Sequence, residues 1–353
     1  MVEALCLFIL NPIFMRRIFL IIPFLTIVFF FACKNKNSQV VLPAEPDREV
    51  AKDNLVIKRY EEALFALDKT RLKQGLASIN PEFSIFLGNN WQDTMNILRV
   101  YNFLSDPNIR ELFNLTEKKY PDVSSLEDRL GKALNIFRQS YPERPMPKVY
   151  TYVSGLDIEN PVLYFDTAMV IGLDLFLGSG LPAYQKAGIP KYKSAQFTPD
   201  NLLPQCMLAV SDHIIRVDDK SNTLLDMMVQ AGKAMYFLDV TLPDVPDENK
   251  IGYATAQLAW SLENESNVWA FIIENQLLFS SDPKGIAKLI TDAPFTAGFD
   301  TQSPGRLGVY LGWQIVRKYM KEASTTTLRQ LMEEIDAQKI LRVSGFKPGG
   351  RKS

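Results

Sequence analysis

The sequence predicts an α+β fold that is predominantly α-helical, with a small β-sheet packed against the helices. Apolar residues recur at helical spacing through most of the chain, and the pattern changes only near its middle. There, residues 148–153 and 161–177 are rich in β-branched and aromatic side chains that partly alternate, which is typical of strands. No internal repeat or long linker interrupts residues 54–353, so this part is predicted to form a single domain.

Helices are predicted both before and after this sheet in the sequence. The clearest pattern before the sheet spans residues 120–141, and Ser124 or Ser125 is predicted to cap that helix. A loop rich in Gly, Pro, Tyr and Lys follows the strands over residues 178–200. The full set of predicted helices covers residues 58–72, 91–104, 120–141, 200–216, 220–237, 252–262, 265–279, 305–322 and 326–337.

The composition excludes several classes of function. The 39 Lys and Arg nearly balance the 40 Asp and Glu, so no positive field exists to hold a nucleic acid. His213 is the only histidine of the chain, which excludes zinc sites and catalytic triads that need two imidazoles or an imidazole base. His213 itself lies among apolar residues, and we predict a structural role for it, with no metal and no cofactor bound by the protein.

The amino-terminal segment has the pattern of an export signal. Arg16 and Arg17 precede an uncharged apolar run over residues 18–32, and Cys33 follows directly. A membrane-spanning helix needs about twenty apolar residues, more than this run contains. The pattern resembles a bacterial lipoprotein signal, so we predict that residues 1–32 are removed and that Cys33 is lipidated, with an uncleaved anchor as the alternative.

The residues around this signal refine the prediction. Met15 stands directly before the arginines and is an alternative translation start. Residues 33–53 are polar and contain two prolines, which predicts a flexible tether between the lipid and the domain. Lys34 and Lys36 follow the cysteine in place of acidic residues, and we interpret this as favouring a protein that faces the periplasm.

A predicted helix over residues 221–240 carries Gly232 and Lys233 at its centre. Glycine costs about 1 kcal/mol relative to alanine inside a helix, so it usually marks the close approach of another element. Gln230 lies three residues before Lys233 and therefore on a neighbouring part of the same face. Close packing at Gly232 and a reach of Lys233 towards a carboxylate are the two interpretations.

Carboxylates and aromatic residues are concentrated in the next helical stretch. Glu263, Glu265 and Glu274 surround Trp269 and Phe271. Paired carboxylates can serve as acid and base or bind a hard cation, but acidic residues are also common on solvated helix surfaces. Both interpretations stay open at this level.

Three glycines lie on one face of the predicted helix at 305–322, namely Gly305, Gly308 and Gly312. Such a face lets another helix approach closely. Arg306 and Trp313 belong to the same helix, and either contact with a ligand or partner, or packing, would account for them.

Five features in order resemble the GldB family of gliding-motility lipoproteins of the Bacteroidetes. They are the cysteine motif ending at Cys33 and the stretches at residues 232–253, 257–282, 292–299 and 303–320. This family is itself distantly similar to zincin-like metalloproteases, which implies a zincin-like fold with a degenerate metal motif. In that alignment Val229, Gln230 and Lys233 take the places of the first histidine, the catalytic glutamate and the second histidine of the zinc motif.

The resemblance implies a non-catalytic protein, because these residues cannot bind catalytic zinc or activate water in the zincin manner. Glu263 or Glu265 would be the relic of a third ligand, paired with Lys233. The predicted degenerate cleft contains Gln230, Gly232, Lys233, Glu263, Glu265, Trp269, Arg306 and Trp313.

The expected function is that of a membrane-anchored envelope lipoprotein required for gliding, which acts as a scaffold or binding component. Its expected partners are the membrane, through the lipid on Cys33, and other envelope proteins of the gliding or secretion machinery. Two alternatives stay open. One is a hydrolase of peptide or peptidoglycan that uses carboxylates, and the other is a general envelope-biogenesis factor.

Overall fold

The computed structural model describes residues 53–218, 220 and 222–348. The predicted signal peptide, Cys33 and nearly all of the predicted tether lie outside the described residues. Within the described part, the structure confirms a predominantly helical α+β fold with a small sheet packed against helices.

Four short strands form one mixed sheet in the order β1-β2-β4-β3. Strands β1, β2 and β4 run parallel, whereas β3 pairs antiparallel with β4, placing Leu163 opposite Val170. All five residues of β4 are buried, as expected for a strand that is covered on both faces. The strands are β1 (Ile57–Arg59), β2 (Lys148–Tyr152), β3 (Val162–Tyr164) and β4 (Ala168–Gly172).

Among the described residues, five α-helices precede β2. Two of them begin at an aspartate that accepts hydrogen bonds from backbone N–H groups, because Asp93 accepts from Met95 at 2.8 Å and Asp106 from Asn108 at 2.7 Å. The predicted serine caps were wrong, because Asp122 accepts from the Ser124 N–H at 3.0 Å. The helices are α1 (Tyr60–Phe65), α2 (Leu72–Leu87), α3 (Thr94–Ser105), α4 (Pro107–Lys119) and α5 (Ser124–Ser140).

In the part of the chain that the structure describes, ten further α-helices follow the sheet, beginning with two short ones in the predicted loop. The stretch predicted as two helices around Glu263 is one continuous helix, α11. The helices are α6 (Pro182–Lys186), α7 (Lys191–Ser194), α8 (Pro199–Ser211), α9 (Leu224–Thr241), α10 (Asp247–Ile251), α11 (Thr255–Glu274), α12 (Pro283–Ile290), α13 (Leu307–Glu322), α14 (Leu328–Glu333) and α15 (Ala337–Ser344).

The sheet separates two hydrophobic clusters. Val149 and Met169 belong to the larger cluster, whereas the next residues, Tyr150 and Val170, belong to the smaller one. This division follows from the alternation of side chains between the two faces of a strand. The larger cluster contains residues of α5, α8, α9 and α13, and the smaller one contains residues of α1, α2 and α3.

Candidate functional site

The three residues that the zincin resemblance assigns to a metal motif share one face of α9. Val229, Gln230 and Lys233 line a cavity of about 20 Å³, which is room for about one water molecule. Arg216 and Ile335 belong to the other walls of this cavity. We call it the Lys233 pocket. Its three motif positions supply no imidazole and no carboxylate, so they do not fit a zinc ion.

Lys233 is held by a backbone group. Its amine donates a hydrogen bond to the carbonyl oxygen of Glu334, which directly follows α14. Lys233 is only 3% exposed, and burial lowers the pKa of its amine to about 8, although the charge of Glu334 opposes this shift. The Glu334 carboxylate forms an ion pair with Lys339.

The predicted ion pair between Lys233 and a glutamate of α11 is wrong. Glu265 instead accepts a hydrogen bond from the Tyr310 hydroxyl at 2.9 Å. Burial raises the pKa of Glu265, and the hydrogen bond from Tyr310 lowers it in part. Glu263 is exposed on the same helix.

Gly232 is explained by close helix packing. A Cβ atom at this position would overlap the backbone carbonyl group of Gly312, and a Cβ at Gly312 would overlap that of Met228. Helices α9 and α13 therefore cross in backbone contact. Close packing, rather than a contact of the neighbouring Lys233 with a carboxylate, therefore explains the glycine at position 232.

Trp313 belongs to a buried charge network that the sequence did not reveal. Its indole N–H donates to Asp239 at 2.8 Å, and the Arg317 guanidinium lies 3.7 Å from the centre of the Trp313 ring. Arg317 donates to both oxygens of Asp239 at 2.7 Å, and Lys250 donates to one of them at 3.0 Å. Asp247 accepts from Arg317 at 2.7 and 2.8 Å. The negative charges of Asp239 and Asp247 are therefore balanced by the positive charges of Arg317 and Lys250.

Arg306 lies at a different place on the molecule. Its backbone has a positive φ of 59° directly before α13, and its Nε atom is 2.7 Å from Asp292. It also donates to the carbonyl oxygen of Ile251 and lies beside the Tyr253 ring. Arg306 does not line the Lys233 pocket.

The predicted degenerate cleft is therefore not one site, and this part of the prediction needs correction. Gln230 and Lys233 share a pocket, Gly232 and Trp313 are packed in the core, and the others lie elsewhere. Trp269, for example, packs edge-on against Phe346 with ring centres 5.3 Å apart. The residues are separated because they belong to α9, α11 and the start of α13, and these helices do not bring them around one cavity.

The three glutamates proposed for hydrolysis are also spread along one helix. Glu263 and Glu274 are both exposed on α11, about 16 Å apart at the helical rise of about 1.5 Å per residue. Within the described ranges, no three His, Cys, Asp or Glu side chains are grouped closely enough to hold a metal ion.

The comparisons with known proteins identify the family. Residues 43–348 match the model of the family described as gliding motility protein GldB. The chain belongs to the GldB family. No curated protein and no solved structure matches the chain, so the zincin-like part of the fold prediction stays a prediction.

Membership in the GldB family assigns the chain a role in gliding motility. The label of the family also marks its members as lipoproteins, which supports a membrane-anchored place in the cell envelope. In the part of the chain that the structure covers, no helix combines the length and apolar character needed to cross a membrane.

Proposed function

We propose that this GldB-family protein is a lipid-anchored, non-catalytic binding component of the gliding machinery. The observation that carries the proposal is the Lys233 pocket. Val229, Gln230 and Lys233 stand where the zincin resemblance puts the catalytic motif, and the Lys233 amine is already bonded to a backbone carbonyl. A cavity of about 20 Å³ is also too small for a peptide bond and its flanking residues.

The anchor is proposed from the sequence together with the family. The apolar run before Cys33 has the pattern of a lipoprotein signal, and the family label agrees with it. Several acyl chains on Cys33 would hold the protein stably on the membrane, whereas one chain binds only reversibly. We place the domain on the periplasmic side because Lys34 and Lys36, rather than acidic residues, follow the cysteine.

Complementation of gliding tests the non-catalytic role. The protein is depleted in its native bacterium, and single cells are filmed on glass after complementation with wild type or Glu265→Gln. The glutamine keeps the shape of the side chain and can still accept from Tyr310, but it cannot act as a carboxylate acid or base. We expect wild type and Glu265→Gln to restore movement equally.

Loss of movement with a folded Glu265→Gln variant would favour the hydrolase alternative. Glu111→Gln, which changes an exposed glutamate of α4 outside the three candidates, is the matched control. Depletion that stops growth without a specific motility defect would instead support a general role in envelope biogenesis.

Detergent-phase partitioning tests the anchor. Cys33→Ala should move the protein from the detergent phase to the aqueous phase, because the acylated residue is lost. Cys206→Ala is the control, since this thiol is fully buried in α8 and should not affect anchoring. Unchanged partitioning of Cys33→Ala would contradict lipidation at that residue.

A further inference from the structure

Two neighbouring cavities form a groove on the side of the domain that carries Arg306. Their volumes are about 150 and 360 Å³, and the side chains of Gln196, Asp292 and Arg306 line both of them. We call this the Arg306 groove. It shares no lining residue with the Lys233 pocket, so it is a separate site.

One face of helix α8 runs along the groove. Asn201 lines the smaller cavity, and Gln205, Leu208, Ala209 and Asp212 line the larger one. These positions recur at helical spacing. Asp212 lies eleven positions after Asn201, so at the helical rise of about 1.5 Å per residue this wall is about 16 Å long. That length matches about five residues of extended peptide.

The side-chain amide of Asn201 has unused hydrogen-bonding capacity. Asn201 is only 7% exposed, yet its amide makes no hydrogen bond to any other residue that the structure describes. The nitrogen and oxygen of this amide are not fully enclosed by protein, so they open into the smaller cavity. An amide both donates and accepts, which is the pattern that a peptide group of a ligand can satisfy.

The backbone of Arg306 is strained at the same site. A non-glycine residue with φ of 59° is uncommon, and such strain is concentrated at binding and active sites. The strained backbone holds the guanidinium against Asp292 at 2.7 Å, within reach of both cavities. Gly252 adjoins it, and a Cβ there would come within 3.4 Å of the Arg306 guanidinium.

The larger cavity adds apolar and acidic character. Val162, Phe176 and Phe197 line it together with Leu208, which suits an apolar side chain. Three carboxylates and two cations line the whole groove, so a slight negative charge remains. The carboxylates are Glu159, Asp212 and Asp292, and the cations are Lys193 and Arg306.

We propose that the Arg306 groove binds an extended peptide segment of about five residues. A peptide group of the ligand pairs with the Asn201 amide, an apolar side chain enters the larger cavity, and a basic residue is favoured at the Asp212 end. A peptide is favoured over a saccharide because the α8 wall presents an amide at Asn201, an apolar side chain at Leu208 and a carboxylate at Asp212 in a row, and a chain of peptide groups and side chains can match all three. This site goes beyond the proposed function, because that function rests on the Lys233 pocket and on the anchor.

The test uses the full chain in detergent on an array of immobilised, end-blocked pentapeptides and on an array of oligosaccharides. The variants are Asn201→Leu, Asp212→Asn and the control Asn267→Leu, which changes an exposed amide of α11. Thermal unfolding shows that each variant folds, and Asn201→Leu should change the Tm little because it removes no hydrogen bond to another described residue.

The expected result is retention of a subset of peptides with an apolar residue next to Lys or Arg. Asn201→Leu should weaken their binding at least tenfold, Asp212→Asn should remove the preference for basic residues, and Asn267→Leu should bind as wild type does. The proposal is overturned if no peptide is retained, if a folded Asn201→Leu variant binds equally well, or if oligosaccharides bind in an Asn201-dependent manner instead. None of these outcomes depends on gliding, so the proposed function is tested separately.

Discussion

At the scale of single residues, Lys233 shows how one side chain can make folding depend on pH. Burial lowers the pKa of its amine from the ordinary 10.5 to about 8. Between these two values the unfolded chain binds one more proton at this position than the folded chain does. The contribution of Lys233 to the free energy of unfolding therefore rises as the pH increases from about 8 to 10.5.

This effect predicts a difference between wild type and Lys233→Met. Urea unfolding from pH 7 to pH 10 should show that the free energy of unfolding of wild type increases relative to that of the variant. Methionine fills a similar volume but carries no proton to lose. Lys339→Met is the control, because Lys339 is exposed and its pKa is raised rather than lowered. Parallel curves for wild type and Lys233→Met would contradict the prediction.

Asp239 is the residue on which the buried charge network depends. It is 1% exposed and accepts hydrogen bonds from Trp313, Arg317 and Lys250. Removing one partner from a buried ion pair leaves uncompensated charge, which typically costs about 3–5 kcal/mol. We expect Asp239→Ala to lower the free energy of unfolding by that amount in urea titrations.

Arg71→Ala is the matched control for Asp239→Ala. Arg71 forms an exposed ion pair with Asp68 at 3.1 Å, with its side chain 71% exposed, and such pairs contribute about 0–1 kcal/mol. Equal effects of the two substitutions would mean that the network does not stabilise the fold.

At the scale of elements, the glycines of the α13 region bring three different segments into close contact. Gly312 meets α9, Gly308 meets the end of α12, and Gly305 meets the backbone of Ala293. The sequence predicted a face of small residues that admits one helix. The structure confirms the close approach to a helix but distributes the three glycines among three neighbours.

Substitution of Gly312 by alanine should separate α9 from α13. The added Cβ would overlap the backbone of Met228, which cannot move aside as a side-chain end can. Overpacking of this kind costs about 1–3 kcal/mol or more, which should appear as a lower Tm. Gly75→Ala in α2 is the control, because its Cβ would meet only the side chain of Leu67. A Tm unchanged by Gly312→Ala would refute the backbone contact.

Regular elements were predictable where their pattern is long and local. The stripe of apolar residues predicted α5, and the β-branched stretches predicted β2 and β4. Strand β1 was missed because three residues are too few to show alternation. Helices α2, α4, α10, α12 and α15 were missed as well, and so were the short helices α6 and α7 in the predicted loop.

The site was less predictable than the elements, because it depends on contacts between distant residues. Arg317 meets Asp239 across 78 positions, and Gln196 meets Asp292 across 96. Spacing within one helix placed Gln230 beside Lys233 correctly. It could not show that Lys233 donates to the carbonyl oxygen of Glu334, or that Glu265 accepts from Tyr310. Asn201 gave no signal, since an unpaired amide is visible only once its surroundings are folded.

At the scale of the whole molecule, the sheet divides the described domain into parts of unequal stability. The smaller hydrophobic cluster, under α1, α2 and α3, contains few fully buried side chains, and Met95 and Leu98 of α3 are exposed. The larger cluster contains nine buried residues of α9 and nine of α13. Regions with fewer buried apolar contacts open locally at lower free energy.

Hydrogen–deuterium exchange should reveal this difference. We expect amides of α2 and α3 to exchange by local opening well before those of α9 and α13, whose exchange should require global unfolding. The difference should persist in Asn267→Leu, because Asn267 is exposed on α11 and belongs to neither cluster. Uniform protection across the four helices would show that the domain opens only as a unit.

The contact between Gly232 and Gly312 has an evolutionary consequence. Each Cβ would point at the other helix's backbone, and both positions already carry the smallest residue, so no second substitution can compensate for a larger side chain at either. The two glycines should therefore change more slowly among relatives than the neighbouring Lys233, whose side chain bonds only to a carbonyl oxygen. Position 233 should therefore vary between polar and apolar residues among relatives, while the glycines at the crossing of α9 and α13 stay unchanged.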